Sequence, residues 1–383
     1  MRALFARRRL LNMLIYTALL TAVIALVIFP QDISKAAAEG LSLCGNVIIP
    51  SLFPFFILSS LIVETGFARQ LEKLLEPVMR PLFNVGGGCA AAFALGFIGG
   101  YPVGAKTVIS LYENGGCTKT EAERLLSFCN NSGPAFIFGV VGAGVFSSSK
   151  IGLLLYLVHS VASIIVGILF RGWDGGGSAA LRVRKPPRKT ASFSAAFTSS
   201  VKSSTQSVLN ICGFVVFFTV FIRLLFLSGI IPGIAGAVGN VLSRFGFDSA
   251  WAERLLTGII ELSSGVWSLN AAAAQITGSV AMAAFMLGWA GISVHSQVLS
   301  FIGTSGLSVK TYIIGKLLQG IISAALVLIL FRLFFSRVQT AALLAEQVSS
   351  IASMGFWRAG TISLAAALIM LVLFYIGARV RKS

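Results

Sequence analysis

Four short stretches break apolar sequence with Gly, Pro and polar side chains: GGYPVGAK at 99–106, NNSGP at 130–134, ELSSG at 261–265 and GISVHSQ at 291–297. The first supplies Tyr101 and Lys106, and the second Asn130, Asn131 and Ser132. The third supplies Glu261, Ser263 and Ser264, and the fourth Ser293, His295, Ser296 and Gln297. These are hydrogen-bonding groups with one full positive charge and one carboxylate. They suit the binding of a small polar or charged solute better than bond-breaking chemistry. Ser, His and acidic residues for a triad exist, but there are only two histidines and no G-x-S-x-G elbow. No enzyme is expected. The stretch 99–107 also resembles a phosphate-binding P-loop, but Ala105 separates Gly104 from Lys106 and no strand precedes it, so that motif is rejected.

The solvent around these breaks follows from composition. Of the 383 residues 56% are hydrophobic and 11% charged, with mean hydropathy +0.89, where a soluble domain carries about 25% charged residues. The chain is a polytopic membrane protein. Its formal charge of +17 does not indicate nucleic acid, because the basic residues cluster at the ends of apolar runs, as the positive-inside rule requires. The five cysteines are scattered without a C-x-x-C pair, which excludes the usual disulfide and zinc frameworks. No cofactor or metal is expected, and a coupling cation, Na+ or H+, is left open.

Arg7–Arg9 precede an apolar run at 10–29. It is about 20 residues long, longer than a secretory core of about 7–15, and reads as an uncleaved first span with a cytoplasmic N-terminus. Residues 41–63 form a second, Pro-kinked span, and 67–83 an amphipathic interfacial segment. Residues 86–111 read as a re-entrant hairpin, 125–146 as a broken span and 151–170 as a plain span. The basic stretch 171–190, RGWDGGGSAALRVRKPPRKT, is a cytoplasmic linker. The order then returns: span 207–227, Gly-rich interfacial segment 232–247, interrupted hairpin 255–274, broken span 280–302 and plain span 311–335. An amphipathic segment at 341–358 and a last span at 361–378 end the chain in the cytoplasm.

Counting spans as crossings and hairpins as none puts every basic cluster inside and gives the two halves opposite orientation. The expected fold is an all-α polytopic inverted-topology repeat with two re-entrant helical hairpins, discontinuous transmembrane helices and about eight full spans. The expected units are 1–40 (first helix and loop), 41–170 (first gate repeat), 171–199 (linker), 200–335 (inverted second repeat) and 336–383 (amphipathic segment and last helix). In such repeats the solute sits near the midplane where broken helices meet.

Each candidate also has a purely structural reading. Lys106 either meets the solute or snorkels to the headgroups, and Glu261 either binds solute, cation or proton or pairs with Lys106 or Arg254. His295 can be a satisfied buried histidine, Asn130 and Asn131 caps of a half-helix, and Tyr101 an interface aromatic. His159, mid-span, reads as packing or interface, and Arg223 as a snorkelling side chain.

GYPVGAKT at 100–107 with CNNSGPAFIFG at 129–139 resembles the YlbJ (SpoVV) family of sporulation integral membrane proteins, which carries the nucleoside recognition gate domain. Its fold is similar to that of concentrative nucleoside transporters. ELSSG at 261–265 and GISVHSQ at 291–297 fit the same pattern, and the resemblance spans roughly 41–335. It implies transport of dipicolinate from the mother cell across the outer forespore membrane. The implied partners are a small-molecule anion and the lipid bilayer, without nucleic acid and with a homo-oligomer left open. Dipicolinate is a planar dianion. Lys106 and half-helix N-termini suit its carboxylates, Tyr101 or Phe136 its ring, and Asn130, Asn131, Ser132 or Gln297 its acceptors. Spacing alone does not select it over a nucleoside, another organic anion or a non-transporting scaffold role.

Overall fold

The computed structural model describes residues 2–64, 68–173, 193–243, 248–270 and 276–335. Most of the linker expected at 171–190 and everything expected at 336–383 lie outside these residues. Among the described residues the chain is helical, without strands, as a bilayer requires of any open structure that must satisfy its own backbone.

The first half comprises α1 (Arg2–Ile28), α2 (Pro30–Leu43), α3 (Ile49–Glu64), α4 (Ala68–Phe83), α5 (Ala90–Ile98), α6 (Val103–Glu113), α7 (Lys119–Phe128) and α8 (Ser149–Leu169). A π-helical segment, Ala135–Val145, lies between α7 and α8. Pro30 opens α2 at the position where a missing N–H costs nothing. Thr118 and Glu121 form a reciprocal capping box on α7. The second carboxylate oxygen of Glu121 accepts from Gly86 N at 2.7 Å, tying the start of the hairpin to α7.

The second half comprises α9 (Phe193–Leu227), α10 (Ile230–Leu242), α11 (Ser249–Ile260), α12 (Leu262–Trp267), α13 (Ile276–Trp289), α14 (Gly291–Ser305) and α15 (Val309–Leu330). Asp248 caps α11 and Ser308 caps α15 through their side-chain oxygens.

A break lies at or beside each of the four expected stretches, the last at Ala290, so that the expected 291–297 is itself helical. α5 gives way to α6 at 99–102, α7 to the π-helical segment at 129–134, α11 to α12 at Glu261, and α13 to α14 at Ala290. Four helical stretches are long and apolar enough to cross a membrane: Ser149–Gly172, Phe193–Leu227, Ile276–Ser305 and Val309–Leu333. Two pairs of helices bent by 100° and 102° bring the number among the described residues to at most six if each pair is one span. This is fewer than the sequence led one to expect. The break after α7 leaves only the 11-residue segment Ala135–Val145 of the span expected at 125–146, and the span expected at 361–378 lies outside the described residues.

The halves interlock. α15 packs on α13, α8 and α7, while α9 runs beside α2 and α3. The N–H of Ser308 donates to Glu123 Oε1 at 2.9 Å, and Arg223 pairs with Asp32, joining α9 to α2. Arg223 therefore has a partner rather than simply snorkelling. Apolar side chains left uncovered on α1 and α9, such as Val27 and Phe217, match a hydrocarbon solvent rather than water.

Candidate functional site

Each break in the first half is pressed against the other. Gly100 has φ +71°, and a Cβ there would lie 3.0 Å from Gly133 N. The second half repeats the device: Gly291 has φ +81°, and its Cβ would lie 2.9 Å from Leu262 N. Only glycine permits both the left-handed backbone and such an approach. The break after α5 thus touches the break after α7, the break before α12 touches the break before α14, and residues of all four line one cavity.

Convergence leaves free backbone groups inside the protein, and polar side chains answer them. Asn130 Oδ1 accepts from Ala105 N at 3.3 Å. Asn131 Nδ2 donates to Phe128 O at 2.9 Å and to Ser163 Oγ at 3.2 Å. Ser132 N donates to His159 Nε2 at 3.1 Å. His159 is therefore not the apolar packing residue the sequence suggested; its acceptor nitrogen satisfies an amide that the break frees. Gln319 donates to Asn131 Oδ1 at 2.8 Å and to His159 O at 3.3 Å.

At the centre of this web is Lys316, wholly buried in α15. Its Nζ lies 3.0 Å from Tyr101 Oη, 2.8 Å from Asn130 O and 2.6 Å from Gln319 Oε1. Tyr101 Oη uses its own proton on Leu287 O at 2.6 Å, and Gln319 Oε1 and Asn130 O can only accept. Three acceptors lie within reach of this nitrogen, matching the three N–H donors of an ammonium group. The nitrogen is also 4.9 Å from the Tyr101 ring centroid, within cation–π range. Nearby, His295 Nδ1 pairs with Tyr312 Oη at 2.9 Å and its ring stands edge-on to Trp289 at 4.3 Å.

The second half is organised around Glu261, which is 2% exposed. Its carboxylate accepts from Ser263 N at 3.0 Å and Ser264 N at 2.6 Å, capping its own helix, and Ser293 Oγ lies 3.4 Å from Oε1. Neither Lys106 nor Arg254 pairs with it. Arg254 instead lies over the Trp251 ring at 5.4 Å.

Between the halves is a small cavity of about 50 Å³. Tyr101, Ser132, Glu261, Ser263, Ser293 and Gln297 line it. Leu52 and Phe56 of α3, Phe136, and Ile211 and Val215 of α9 complete the wall. Ser132 Oγ is buried and has no hydrogen-bond partner among the described residues. The other candidates fall elsewhere. Asn130, Asn131 and His295 hold neighbouring helices, and Ser264 Oγ faces Thr219 Oγ1 at 3.4 Å. Lys106 is exposed and lines a second cleft. Sequence reasoning did not single out Lys316, Gln319, Tyr312 or Ser163. The signal was present for two of them: a Lys and a Gln three residues apart inside an apolar span are costly unless buried with partners.

A cavity thus lies where the broken helices meet, and known proteins resemble this chain in sequence and fold. A family model for the gate domain, nucleoside recognition, matches residues 47–170. A solved structure of a variant of CNTnw, in its intermediate 1 state, superposes with a TM-score of 0.53 at 15% identity, covering 80% of this chain and 86% of that one. The sporulation integral membrane protein YlbJ of Bacillus subtilis (strain 168) is 32% identical over 320 residues, covering 79% of this chain and 78% of that protein. At that identity and coverage the chain belongs to the family of the sporulation integral membrane protein YlbJ.

Proposed function

We propose that the chain carries a small organic anion, dipicolinic acid foremost, across the outer forespore membrane during sporulation. The supporting observation is the central cavity, to which both halves of the chain contribute polar groups at their breaks. A scaffold has no need of such a chamber. The anionic class is supported by Lys316, a buried lysine that in this reading is an ammonium and whose nitrogen is held only by neutral oxygens beside Tyr101. Its charge is not cancelled by an acid in contact with it, so it favours negative charge on the cavity side of the Tyr101 ring. In this reading Phe136 or Tyr101 covers the pyridine ring, while Ser132 and Gln297 donate to a carboxylate. Glu261 carries the coupling proton or cation.

The accompanying topology is an inverted repeat of about eight spans with both termini cytoplasmic. It is supported by the parallel contacts of Gly100 with Gly133 and Gly291 with Leu262.

A second reading is a nucleoside as cargo. Glu261, Ser263, Ser293 and Gln297 line the cavity without a lysine among them, a lining that also suits hydroxyl groups. Uptake of radiolabelled dipicolinate and of a nucleoside into liposomes holding the purified protein separates these. Saturable dipicolinate uptake is expected. Nucleoside uptake alone transfers the function to the second reading, and uptake of neither points to a scaffold.

A further inference from the structure

The polar side chains of α9 form a stripe that the central cavity does not use. Ser199, Lys202, Ser203, Gln206, Ser207 and Asn210 recur at intervals of three and one, which places them on one helical face. This face belongs to a 35-residue helix whose further course is apolar. Such a face is not stable against lipid and must meet protein or water. It meets a cleft of about 500 Å³ whose opposite wall is Pro102 and Lys106 at the start of α6 with Gln297 and Ser300 of α14. Lys106 and Lys202 are both exposed. No carboxylate lines the cleft, and neither lysine makes an ion pair among the described residues. Gln206 Nε2 donates to Asn210 Oδ1 at 2.9 Å, so the stripe is partly self-paired and leaves its lysines to water.

The cleft adjoins the central cavity. Gln297 lines both, and Tyr101 faces the cavity while the next residue, Pro102, faces the cleft. We infer that the cleft is a basic vestibule, a water-filled anion site distinct from the central cavity, in which Lys106 and Lys202 concentrate carboxylate solutes before they pass Gln297. Two ammonium groups in a walled cleft focus potential and raise the local concentration of anions. Lys106 thereby acts at the mouth rather than at the midplane. The identity of the cargo rests on the transport reading above; the charge of the vestibule does not.

The test uses purified full-length protein carrying Asn210→Cys in a Cys212→Ser background, since the other four cysteines are buried. Its reaction rates with anionic sulfonatoethyl and cationic trimethylammonioethyl methanethiosulfonate are each divided by those of a free thiol. The expected result is a normalised ratio favouring the anion. Lys106→Gln with Lys202→Gln lowers this ratio roughly tenfold, and the corresponding Arg pair restores it. A ratio that the Gln pair leaves unmoved, or an Asn210→Cys thiol as slow as the buried cysteines, overturns the vestibule. Added dipicolinate is expected to slow modification. If the charge effect holds without that protection, the vestibule stands and dipicolinate is removed as its cargo.

Discussion

Lys316 Nζ lies 2.8 Å from the carbonyl oxygen of Asn130, so a side chain of the second half satisfies a backbone group that the first half's break sets free. One nitrogen thereby joins α15 to the break after α7 and, through Tyr101, to the first hairpin. Membrane-buried carbonyls outside a helix need such a donor.

Replacing Lys316 should therefore cost both stability and transport. Lys316→Met leaves Asn130 O and Gln319 Oε1 without this donor, at about 1–3 kcal/mol for each orphaned group. The expected outcome is a lower unfolding temperature in detergent and loss of uptake. Near-normal stability and uptake would show that the ammonium has neither role.

Ser132 makes the opposite case. Its hydroxyl is buried, faces the cavity and has no partner among the described residues. Ser132→Ala should leave stability within about 0.5 kcal/mol. If the hydroxyl donates to a carboxylate, KM for dipicolinate should rise roughly tenfold, since hydrogen bonds to charged groups contribute about 1.5–3 kcal/mol. An unchanged KM would remove Ser132 from the solute's contacts.

Glu261→Gln loses the charge and the titratable proton and keeps one of the two acceptor oxygens, so one of the Ser263 and Ser264 amides faces an NH2 group instead. Thermal stability should fall by about 1–3 kcal/mol for the orphaned amide, with the fold retained. The dependence of uptake on pH, or on Na+ if that is the coupling ion, should flatten. A mutant profile that follows the wild type in both would argue that Glu261 is a cap alone.

Close backbone packing predicts a sharp contrast between two glycines. A Cβ at Gly104 would lie 2.0 Å from Cys129 O, whereas one at Gly303 meets nothing within 4 Å. Gly104→Ala should lose about 1–3 kcal/mol or more and with it most folded protein. Gly303→Ala in α14 should be neutral or slightly stabilising, because Ala is the better helix former by about 1 kcal/mol. Size-exclusion profiles of the two variants check this.

The proposed orientation predicts that Arg171→Cys, at the exposed end of the helix before the linker, is modified by an impermeant thiol reagent only from the cytoplasmic side. Gly233→Cys on α10 should be modified only from the opposite side. Labelling of both from one side would overturn the inverted repeat.

Much of this architecture was legible without coordinates because its causes are local. Hydropathy along the chain sets helices in lipid, and Gly, Pro and polar clusters at 99–106, 130–134, 261–265 and 291–297 mark where they stop. The capping box of Thr118 and Glu121 and the turn glycines likewise act within a few residues of their own position. The partners of the polar side chains were not legible. Tyr101 and Lys106 are five residues apart, yet one lines the central cavity and the other the neighbouring cleft. They flank the start of α6, and the phase of that helix sends them apart. Lys316 and His159 look like isolated polar residues in plain spans, and only the crossing of α15 and α8 beside the break after α7 joins them through Gln319. A chain states locally where backbone bonds must fail. Which distant side chain satisfies them depends on helix rotation and crossing, which close packing of the whole molecule decides.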